Sequence, residues 1–411
     1  MTTRALSDAA RRIRPAVFAE LQARIDRLAA RGEELIPLHI GDTHLPPPEG
    51  ARRVLGSLDP EDVALYRYGP TAGVAPLREV MARAVGRRGL EVDPGSEVLA
   101  GNGGTRALFC AARVVLDPGD EVIVASPYWP LAPGIFTACG AVPVEAPFTQ
   151  RLYEDPTLDP AALLATALGP RTKAVYFISP NNPDGKVLTP AQIERVAAFA
   201  REHDLWVFAD EVYADVVFGG DGAGAPTIAA LPGMRERTIA LHSLSKSHAL
   251  AGLRIGFVAA PEPVVTAARR VSTHTAFNVS VAMQRAAAAA LADEAFPPAA
   301  RDVYRAARDA SVAALAGAPI RFHVAEGATY LFLDFAPAIE QRGRVERERA
   351  LYAILERAVD RGVLLAPGDA FGSGYAQSFA RLCYTSVPPA RVVAGIERLC
   401  DAVDAFLADK P

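Results

Sequence analysis

The sequence predicts an α/β protein whose mostly parallel sheet lies between helices, and two observations carry this prediction. From about residue 96, short apolar runs alternate with helical segments. Several of these runs are almost continuously apolar, as strands are when helices cover both faces of a sheet. The chain has 411 residues, half of them hydrophobic, which is enough for a large core. Sheets of this kind bind ligands beyond the carboxyl ends of their strands.

The N-terminal part predicts a helix followed by a strand that breaks into a loop. Residues 15–31 fit a helix because Pro15 suits a first turn, apolar residues recur on one stripe and Gly32 ends the pattern. An apolar strand comes next and breaks at Gly41 into a proline-rich loop. A further helix is predicted at residues 74–88.

Five apolar runs predict strands in the central part of the chain. They lie at residues 121–127, 141–147, 174–180, 205–210 and 238–243. A helix is predicted between the third and fourth runs, with Thr189 as N-cap, Pro190 at the first helical position and Gln192 completing a capping box. The residues that suggest chemistry stand at the ends of these runs.

A second, smaller domain is predicted towards the C-terminus. From about residue 297 the pattern changes to long helices around two short apolar runs, 320–335 and 363–371. We expect an α+β domain there, joined in space by the N-terminal segment. The predicted division is an N-terminal segment at 1–45, a large domain at 46–296 and a small domain at 297–411.

Composition argues against several classes of partner. The formal net charge is −4, so no basic surface for nucleic acid is expected. No apolar run is long enough to span a membrane, and the N-terminus lacks the apolar segment of a secretory signal. His242 and His248 are not at metal-pair spacing, and the four cysteines are far apart: Cys110, Cys139, Cys383 and Cys400. The expectation is a cytoplasmic protein without a metal.

The strongest chemical signal is the stretch SLSKSHALAGLRIG at residues 243–256. It places Lys246 between small hydroxyl residues and Arg254 eight residues further on, beside glycines. A buried lysine loses its charge easily, and a neutral amine forms a Schiff base with a carbonyl. A solvated surface lysine is the alternative. The stretch resembles the pyridoxal-phosphate lysine signature of the class I/II aminotransferases, and the whole chain is most similar to their bacterial aspartate/aromatic subgroup.

This resemblance implies a fold type I pyridoxal-phosphate transferase with a seven-stranded sheet in its large domain. It implies that Lys246 carries pyridoxal 5'-phosphate. The cofactor phosphate is then bound by small residues at a helix start and by the lysine stretch: Gly103, Gly104, Thr105, Ser243, Ser245 and Arg254. Small residues that open a helix leave N–H groups free for an anion, although Gly-Gly alone also fits a plain loop.

The resemblance further assigns residues around the cofactor ring. Trp129 stacks on the ring, Asn182 and Tyr213 bond its phenolic oxygen, and Asp210 pairs with the protonated ring nitrogen. Each residue also has an ordinary interpretation. The aromatic residue is consistent with packing, the segment SPNNPDGKV with a turn, and the aspartate with a helix cap.

Three more residues are assigned to the substrate and to a second subunit. Arg381 would clamp the substrate α-carboxylate, with the backbone of Gly41 on its other side, and Asn182 would also bind the substrate. Tyr68 would reach the phosphate of the neighbouring subunit, which implies a homodimer with shared active sites. A structural salt bridge for Arg381 and an exposed loop position for Tyr68 are the alternatives.

The implied reaction moves the amino group of an L-α-amino acid to a 2-oxo acid, with Lys246 acting as base and then as acid. One alternative is a lyase, or other carbanion chemistry, on the same fold. Another is a non-enzymatic regulator, but such proteins carry a DNA-binding domain before this fold, and only about forty residues precede Gly41.

The chain departs from the family pattern at three places. The N-terminal loop reads Gly-Asp-Thr-His at residues 41–44, where relatives have Gly-Glu-Pro-Asp. Asp184 replaces the threonine of the Asn-Pro-Thr-Gly motif, and we expect the turn to survive because aspartate also favours it. Thr105 stands where members that prefer dicarboxylates often carry lysine, with Arg106 beside it. The last departure favours a donor with a neutral side chain.

Overall fold

Helices and strands follow one another along the whole described chain. The computed structural model describes residues 5–13, 21–219, 224–342 and 347–409. The strands are β1 (Ile36–Pro37), β2 (Val98–Asn102), β3 (Glu121–Ser126), β4 (Val142–Pro147), β5 (Thr172–Ile178), β6 (Trp206–Asp210), β7 (Thr238–Ser243), β8 (Ile255–Ala259), β9 (Tyr330–Asp334), β10 (Val363–Leu364), β11 (Ala366–Pro367) and β12 (Phe379–Cys383).

The α-helices fill most of the connections between these strands. They are α1 (Asp8–Arg12), α2 (Gln22–Ala30), α3 (Glu49–Gly56), α4 (Ala75–Gly86), α5 (Gly103–Val115), α6 (Ala132–Ala138), α7 (Thr149–Glu154), α8 (Pro160–Ala165), α9 (Pro190–Glu202), α10 (Leu244–Ser247), α11 (Glu262–Thr275), α12 (Val281–Leu291), α13 (Phe296–Ala314), α14 (Ala336–Arg342), α15 (Arg347–Asp360) and α16 (Pro389–Ala408).

A seven-stranded sheet forms the centre, in the order β2-β8-β7-β6-β5-β3-β4. Strand β8 runs antiparallel to both of its neighbours, and the other pairs are parallel. The predicted fold class, a mostly parallel sheet between helices, is confirmed. Because six of the strands run the same way, their carboxyl ends meet at one edge. Ser126, Ile178, Asp210 and Ser243 end their strands there.

The five predicted strands correspond to β3, β4, β5, β6 and β7, with ends that differ by at most two residues. Strand β8 was not predicted. The capping box of α9 is present, since Thr189 Oγ1 accepts from the N–H of Gln192 at 3.2 Å and Gln192 Oε1 accepts from the N–H of Thr189 at 3.0 Å. The helix predicted at 74–88 is α4, at 75–86.

The helix predicted at 15–31 is observed from Gln22 to Ala30, and residues 14–20 lie outside the described residues. Its predicted C-terminal end agrees with the structure, because Gly32 takes a φ of 67°, a conformation that glycine adopts easily after a helix.

The C-terminal part contains a three-stranded antiparallel sheet in the order β11-β12-β9, and β1 pairs in parallel with β10. Of the two predicted apolar runs, 320–335 contains a strand only at its end. The run 363–371 divides into two short strands and a 3₁₀ turn that begins at Gly368. Pro367, which lacks an N–H donor, ends the second short strand.

One hydrophobic cluster joins the two ends of the chain. Leu21, Leu28 and Ile36 share a buried cluster with residues of α13, α15 and α16. We therefore propose the division predicted above, with the N-terminal segment packed on the C-terminal domain. No helix in the described part of the chain has the length and apolarity that a bilayer crossing demands.

Candidate active site

A cradle of small residues lies at the edge of the sheet where β2 leads into α5. Gly103 opens α5 with a φ of 75°, and Arg254 has a left-handed backbone with a φ of 55°. A Cβ atom on Gly103 would clash with the Arg254 guanidinium, and one on Gly256 would clash with the N–H of Gly104. Glycine is therefore required at both positions for the two loops to approach each other.

Hydroxyl groups complete this cradle. Ser243 caps α10, with its Oγ accepting from the Ser245 N–H at 3.2 Å, and the two hydroxyls are 2.9 Å apart. Ser243 ends β7, which pairs with β8, and Gly104 lies close to the carbonyl of His242 on the same strand β7. Open backbone N–H groups, hydroxyls and a guanidinium are the donors that bind phosphate. The residues present therefore fit a phosphate group.

Lys246 lies on α10 with its side chain half-buried. Its amine donates a hydrogen bond to the carbonyl of Gly41 in the N-terminal loop. Tyr304 connects the same loop to α10. Its hydroxyl donates to Thr43 Oγ1 at 2.7 Å and lies 3.3 Å from the Lys246 carbonyl. A Cβ atom on Gly41 would clash with the hydroxyl of Tyr330, so this position also requires glycine.

Asp210 ends β6 and is 3% exposed. Its Oδ2 accepts from the hydroxyl of Tyr176 at 2.8 Å, and its Oδ1 accepts from the N–H of Val212 at 3.3 Å. Burial raises the pKa of Asp210 to about 6, while the two hydrogen bonds act in the opposite direction. A buried carboxylate of this kind is suited to face a cationic ring nitrogen.

Tyr213 follows Asp210 closely and is also buried. Its hydroxyl is 2.7 Å from the hydroxyl of Tyr330. Burial, and then the neighbouring Tyr330, raise the pKa of Tyr213 well above its ordinary value, so the group is a neutral phenol that can donate a hydrogen bond.

Arg381 and Asn182 are joined directly. Arg381 Nη1 donates to Asn182 Oδ1 at 2.8 Å, and Nη2 donates to the carbonyl of His39 at 2.7 Å. The guanidinium carbon lies 4.2 Å from the ring centroid of Tyr330 and 4.9 Å from that of Phe371. Arg381 Nε is buried, and no group in the described part of the chain accepts from it. A buried guanidinium with a spare donor fits a carboxylate ligand.

The two aromatic residues that follow β3, Tyr128 and Trp129, differ in burial and in their contacts. Tyr128 is buried, and its hydroxyl donates to Glu145 Oε1 on β4 at 2.7 Å. Trp129 is partly buried against the core cluster that also contains Phe136 and Tyr176. Trp129 is therefore more exposed than Tyr128 at the end of β3, and its stacking role stays a prediction.

The turn that carries Asn182 is formed despite Asp184. The N–H of Gly185 bonds the carbonyl of Asn181 at 3.0 Å. The Asp184 carboxylate is 1% exposed and accepts from Thr149 Oγ1 at 2.6 Å, Gln150 Nε2 at 2.9 Å, Asn181 Nδ2 at 2.8 Å and the Lys186 N–H at 3.2 Å. Four donors compensate the burial of this charge.

Tyr68 stands apart from the other predicted residues. It is 84% exposed, and its ring contacts Phe277 with centroids 4.6 Å apart.

Thr105 lies in the first turn of α5, beside the cradle. The structure thus brings the remaining predicted residues to one edge of the sheet but leaves Tyr68 on the surface of the chain.

Sequence reasoning missed three tyrosines at this edge: Tyr176, Tyr304 and Tyr330. Each contributes a hydroxyl contact to a predicted residue or to its loop. Two of them lie in apolar strands and one in a long helix, where a tyrosine indicates packing. The available signal was a polar tip within an otherwise apolar run, since a buried hydroxyl needs a partner.

The sequence predicted that His242 and His248 do not bind a metal ion. Both are buried, and burial lowers their pKa values to about 3 and about 4, so both rings are neutral. Among the residues that the structure describes, no group of three His, Cys, Asp or Glu side chains is arranged to hold a metal ion.

Comparison with known proteins shows the family. The family model for aminotransferase class I and II matches residues 33–399. A probable aspartate/prephenate aminotransferase of Thermus aquaticus is 32% identical, covering 98% of both chains, and aromatic-amino-acid aminotransferase 2 of Thermococcus litoralis is 31% identical, covering 99% of both. A double mutant of Thermus thermophilus aspartate aminotransferase has a TM-score of 0.85 at 29% identity, covering 97% of this chain and 100% of that one.

The fold and these comparisons define a pyridoxal-phosphate-dependent enzyme of fold type I. The chain belongs to the class I and II aminotransferase family. It is an aminotransferase that moves an amino group from an amino acid to a 2-oxo acid, and lyase chemistry on the same fold is not favoured.

Proposed function

We propose that Lys246 holds pyridoxal phosphate and moves the proton of the substrate α-carbon. The observation that supports this is the convergence of Lys246, Asp210 and Arg381 at one edge of the sheet, linked through Gly41, Tyr330 and Tyr213. When bound, the cofactor supplies an electron-withdrawing ring. The chain's own residues orient the reactants and transfer the proton.

We propose a binding role for each residue from the group that it offers: a hydrogen-bond donor, a carboxylate or an aromatic ring. We assign the phosphate to the backbone of Gly103 and Gly104, to the hydroxyls of Thr105, Ser243 and Ser245, and to Arg254. Asp210 would supply a negative charge for the ring nitrogen, and Trp129 would stack on the ring. Asn182 and Tyr213 donate hydrogen bonds at the phenolic oxygen.

Arg381 binds the substrate α-carboxylate in this proposal. Its guanidinium is held by Asn182 and by aromatic rings on two sides, so its direction is fixed before the substrate arrives. The Lys246 amine would take the α-proton on its Nζ atom and would later release a proton from the same atom. A general base within hydrogen-bond distance of the proton that it removes raises the reaction rate by about 10²–10⁴-fold.

The substrate proposal is an L-α-amino acid with a neutral, aromatic or aliphatic side chain. Phe109 follows Arg106 by one turn of α5. The Arg106 guanidinium lies over the Phe109 ring, 5.3 Å from its centroid. It therefore extends away from the cradle and not towards the position of Thr105. Arg67 is exposed at the surface. Relatives bearing aspartate/prephenate and aromatic amino acid names both occur among the matches.

A panel of amino donors and 2-oxo acid acceptors tests the reaction and the substrate class together. We expect one oxo acid formed for each acceptor aminated, and a kcat/KM for a neutral donor above that for aspartate. Release of ammonia without an aminated acceptor would instead indicate a lyase. An aspartate preference of tenfold, about 1.4 kcal/mol of transition-state preference, would contradict the neutral-donor proposal.

Two arginine variants sharpen this test. Arg381→Lys is expected to impair every donor alike, because lysine cannot reproduce a bidentate grip. Arg106→Ala is its matched control and should leave the ranking of donors unchanged. If Arg106→Ala selectively lowers kcat/KM for aspartate, the guanidinium reaches the substrate and the proposed donor class is wrong.

We propose a homodimer whose two active sites each use Tyr68 of the other subunit. Support comes from three exposed side chains close together in the sequence, Val63, Tyr66 and Tyr68, which are 57%, 71% and 84% exposed. Phe277, which is 39% exposed, contacts the ring of Tyr68. Large apolar side chains grouped on a surface favour a protein contact. The cytoplasmic location stays a prediction.

Subunit mixing tests the shared sites. A Tyr68→Phe chain combined with a Lys246→Ala chain should regain activity, because each heterodimer has one site with both native residues. Random exchange of two-fold dimers leaves about a quarter of all sites intact. The control is the same mixture with Tyr66→Phe in place of Tyr68→Phe. The Tyr66→Phe chain should be active on its own, so mixing it with Lys246→Ala should lower the activity per chain and produce no gain. Absence of any gain in the first mixture would refute the arrangement.

A further inference from the structure

The hydroxyl of Tyr176 lies against Asp210 inside the protein. Tyr176 is on β5 and pairs in register with Phe208 of β6, so Asp210 is its diagonal neighbour on the same face of the sheet. The Tyr176 hydroxyl donates to Asp210 Oδ2 at 2.8 Å. Tyr176 is fully buried, and in the described part of the chain its hydroxyl bonds no other group.

Packing fixes the direction of this hydroxyl. The rings of Tyr176 and Phe136 pack in a T-shaped arrangement, with centroids 5.6 Å apart and an interplanar angle of 72°. Phe136 in turn contacts Phe208 at 5.3 Å, and all three rings belong to one buried cluster. A close-packed interior leaves the ring no room for another rotamer, so its polar tip is held towards Asp210.

The charge state of Asp210 depends on its donors. Burial raises its pKa to about 6, and the hydrogen bonds from Tyr176 and the Val212 N–H oppose this rise. Burial and the adjacent carboxylate raise the pKa of Tyr176 well above its ordinary value, so the phenol remains a donor. Among the described residues, Glu211 and Tyr213 are titratable groups that interact electrostatically with Asp210, and burial raises the pKa of each.

We propose that Tyr176 is a positioning residue that keeps Asp210 ionised and aimed at the ring nitrogen of the cofactor. Hydrogen bonds to an ionised acceptor are the strong ones, so the tyrosine stabilises the carboxylate over the acid. Tyr176 acts only through Asp210. The inference rests on the proposed pairing of Asp210 with the cofactor ring, and it adds a residue that sequence reasoning had interpreted as part of an apolar strand.

The first test uses the protein without cofactor. Infrared difference spectra between pH values report the C=O stretch of a protonated buried carboxyl, and Asp210→Asn identifies the band by removing it. In Tyr176→Phe the midpoint of this band should move up by about one to two pH units, as expected for the loss of one hydrogen bond to a charged group.

The second test uses the loaded enzyme. Exchange of the substrate α-proton with solvent deuterium should slow by about tenfold in Tyr176→Phe, because a more basic Asp210 draws the proton from the ring nitrogen. KM for the amino donor should stay the same, since Tyr176 does not contact the substrate. The nitrogen-15 shift of labelled cofactor should move towards that of an unprotonated ring.

Tyr384→Phe is the matched control. Tyr384 is also fully buried and donates its hydroxyl to a single acceptor, the carbonyl of Ala328, at 2.8 Å. Its removal should lower the thermal midpoint by a similar amount. It should change neither the Asp210 band nor the exchange rate.

An unchanged Asp210 midpoint in Tyr176→Phe would overturn the proposal even if activity fell. Equal losses of exchange in Tyr176→Phe and Tyr384→Phe would likewise show a structural role only. Should Tyr176→Phe fail to fold, an Asp210 band that persists at neutral pH in the native protein would contradict it. Normal exchange in Asp210→Asn would instead refute the proposed function, so the two failures are distinguishable.

Discussion

Replacing Lys246 with alanine is expected to abolish transamination, with kcat lower by about 10⁴-fold or more. The variant lacks both the amine that holds the cofactor carbonyl and the base that takes the α-proton. The measurement is kcat on purified, cofactor-loaded protein. In the unmodified enzyme, borohydride should fix the yellow colour covalently to the peptide that contains Lys246.

Lys186→Ala provides a matched control for this result. Lys186 is buried, with 7% of its side chain exposed and its amine 2.8 Å from Glu326 Oε1. Its loss should lower stability while borohydride still labels Lys246. A Lys246→Ala protein that turns over at the normal rate, or a label found on another peptide, would end the proposed assignment.

Asp210→Asn is expected to slow α-proton removal by about a hundredfold or more, the scale found when one preorganised electrostatic group is removed from an active site. Asparagine keeps the shape and much of the hydrogen bonding but cannot hold a positive ring nitrogen. The cofactor should therefore stay partly bound. The measurement is deuterium exchange at the substrate α-carbon, together with the dissociation constant of the cofactor.

Asp334→Asn controls for the loss of a buried carboxylate. Asp334 is 3% exposed at the end of β9, where its carboxylate pairs with Arg321. It should reduce stability without slowing proton exchange. If Asp210→Asn exchanges the α-proton at a near-normal rate, Asp210 does not tune the ring and its assigned role is wrong.

The central sheet was predictable because its parallel strands are covered on both faces. Their residues form near-continuous apolar runs, and β3 to β7 were found in this way. Strand β8 was missed because its first two residues, Ile255 and Gly256, belong to the lysine stretch itself, so no helix separates the strand from the motif. Its antiparallel direction depends on pairing with β2 and β7, which no local pattern encodes.

The site residues were predictable where a motif carries them, as at Lys246 and Asp210. Their partners were not. Tyr176 reaches Asp210 only because β5 and β6 pair in one register, and a shift by a single residue would turn the tyrosine to the other face. Tyr330 meets Tyr213 across 117 positions of sequence. Contacts between distant segments depend on tertiary packing, which single-sequence patterns do not contain.

The contact between the two ends of the chain has a consequence for biosynthesis. Arg381 donates to the carbonyl of His39, 342 positions earlier, and β1 pairs with β10. On the ribosome, which adds roughly 5–20 residues per second, the N-terminal loop therefore waits on the order of tens of seconds for the segment that receives it. Throughout that interval the apolar side chain of Ile36 lacks the C-terminal residues that bury it in the folded protein, so this short segment stays exposed until synthesis is nearly complete.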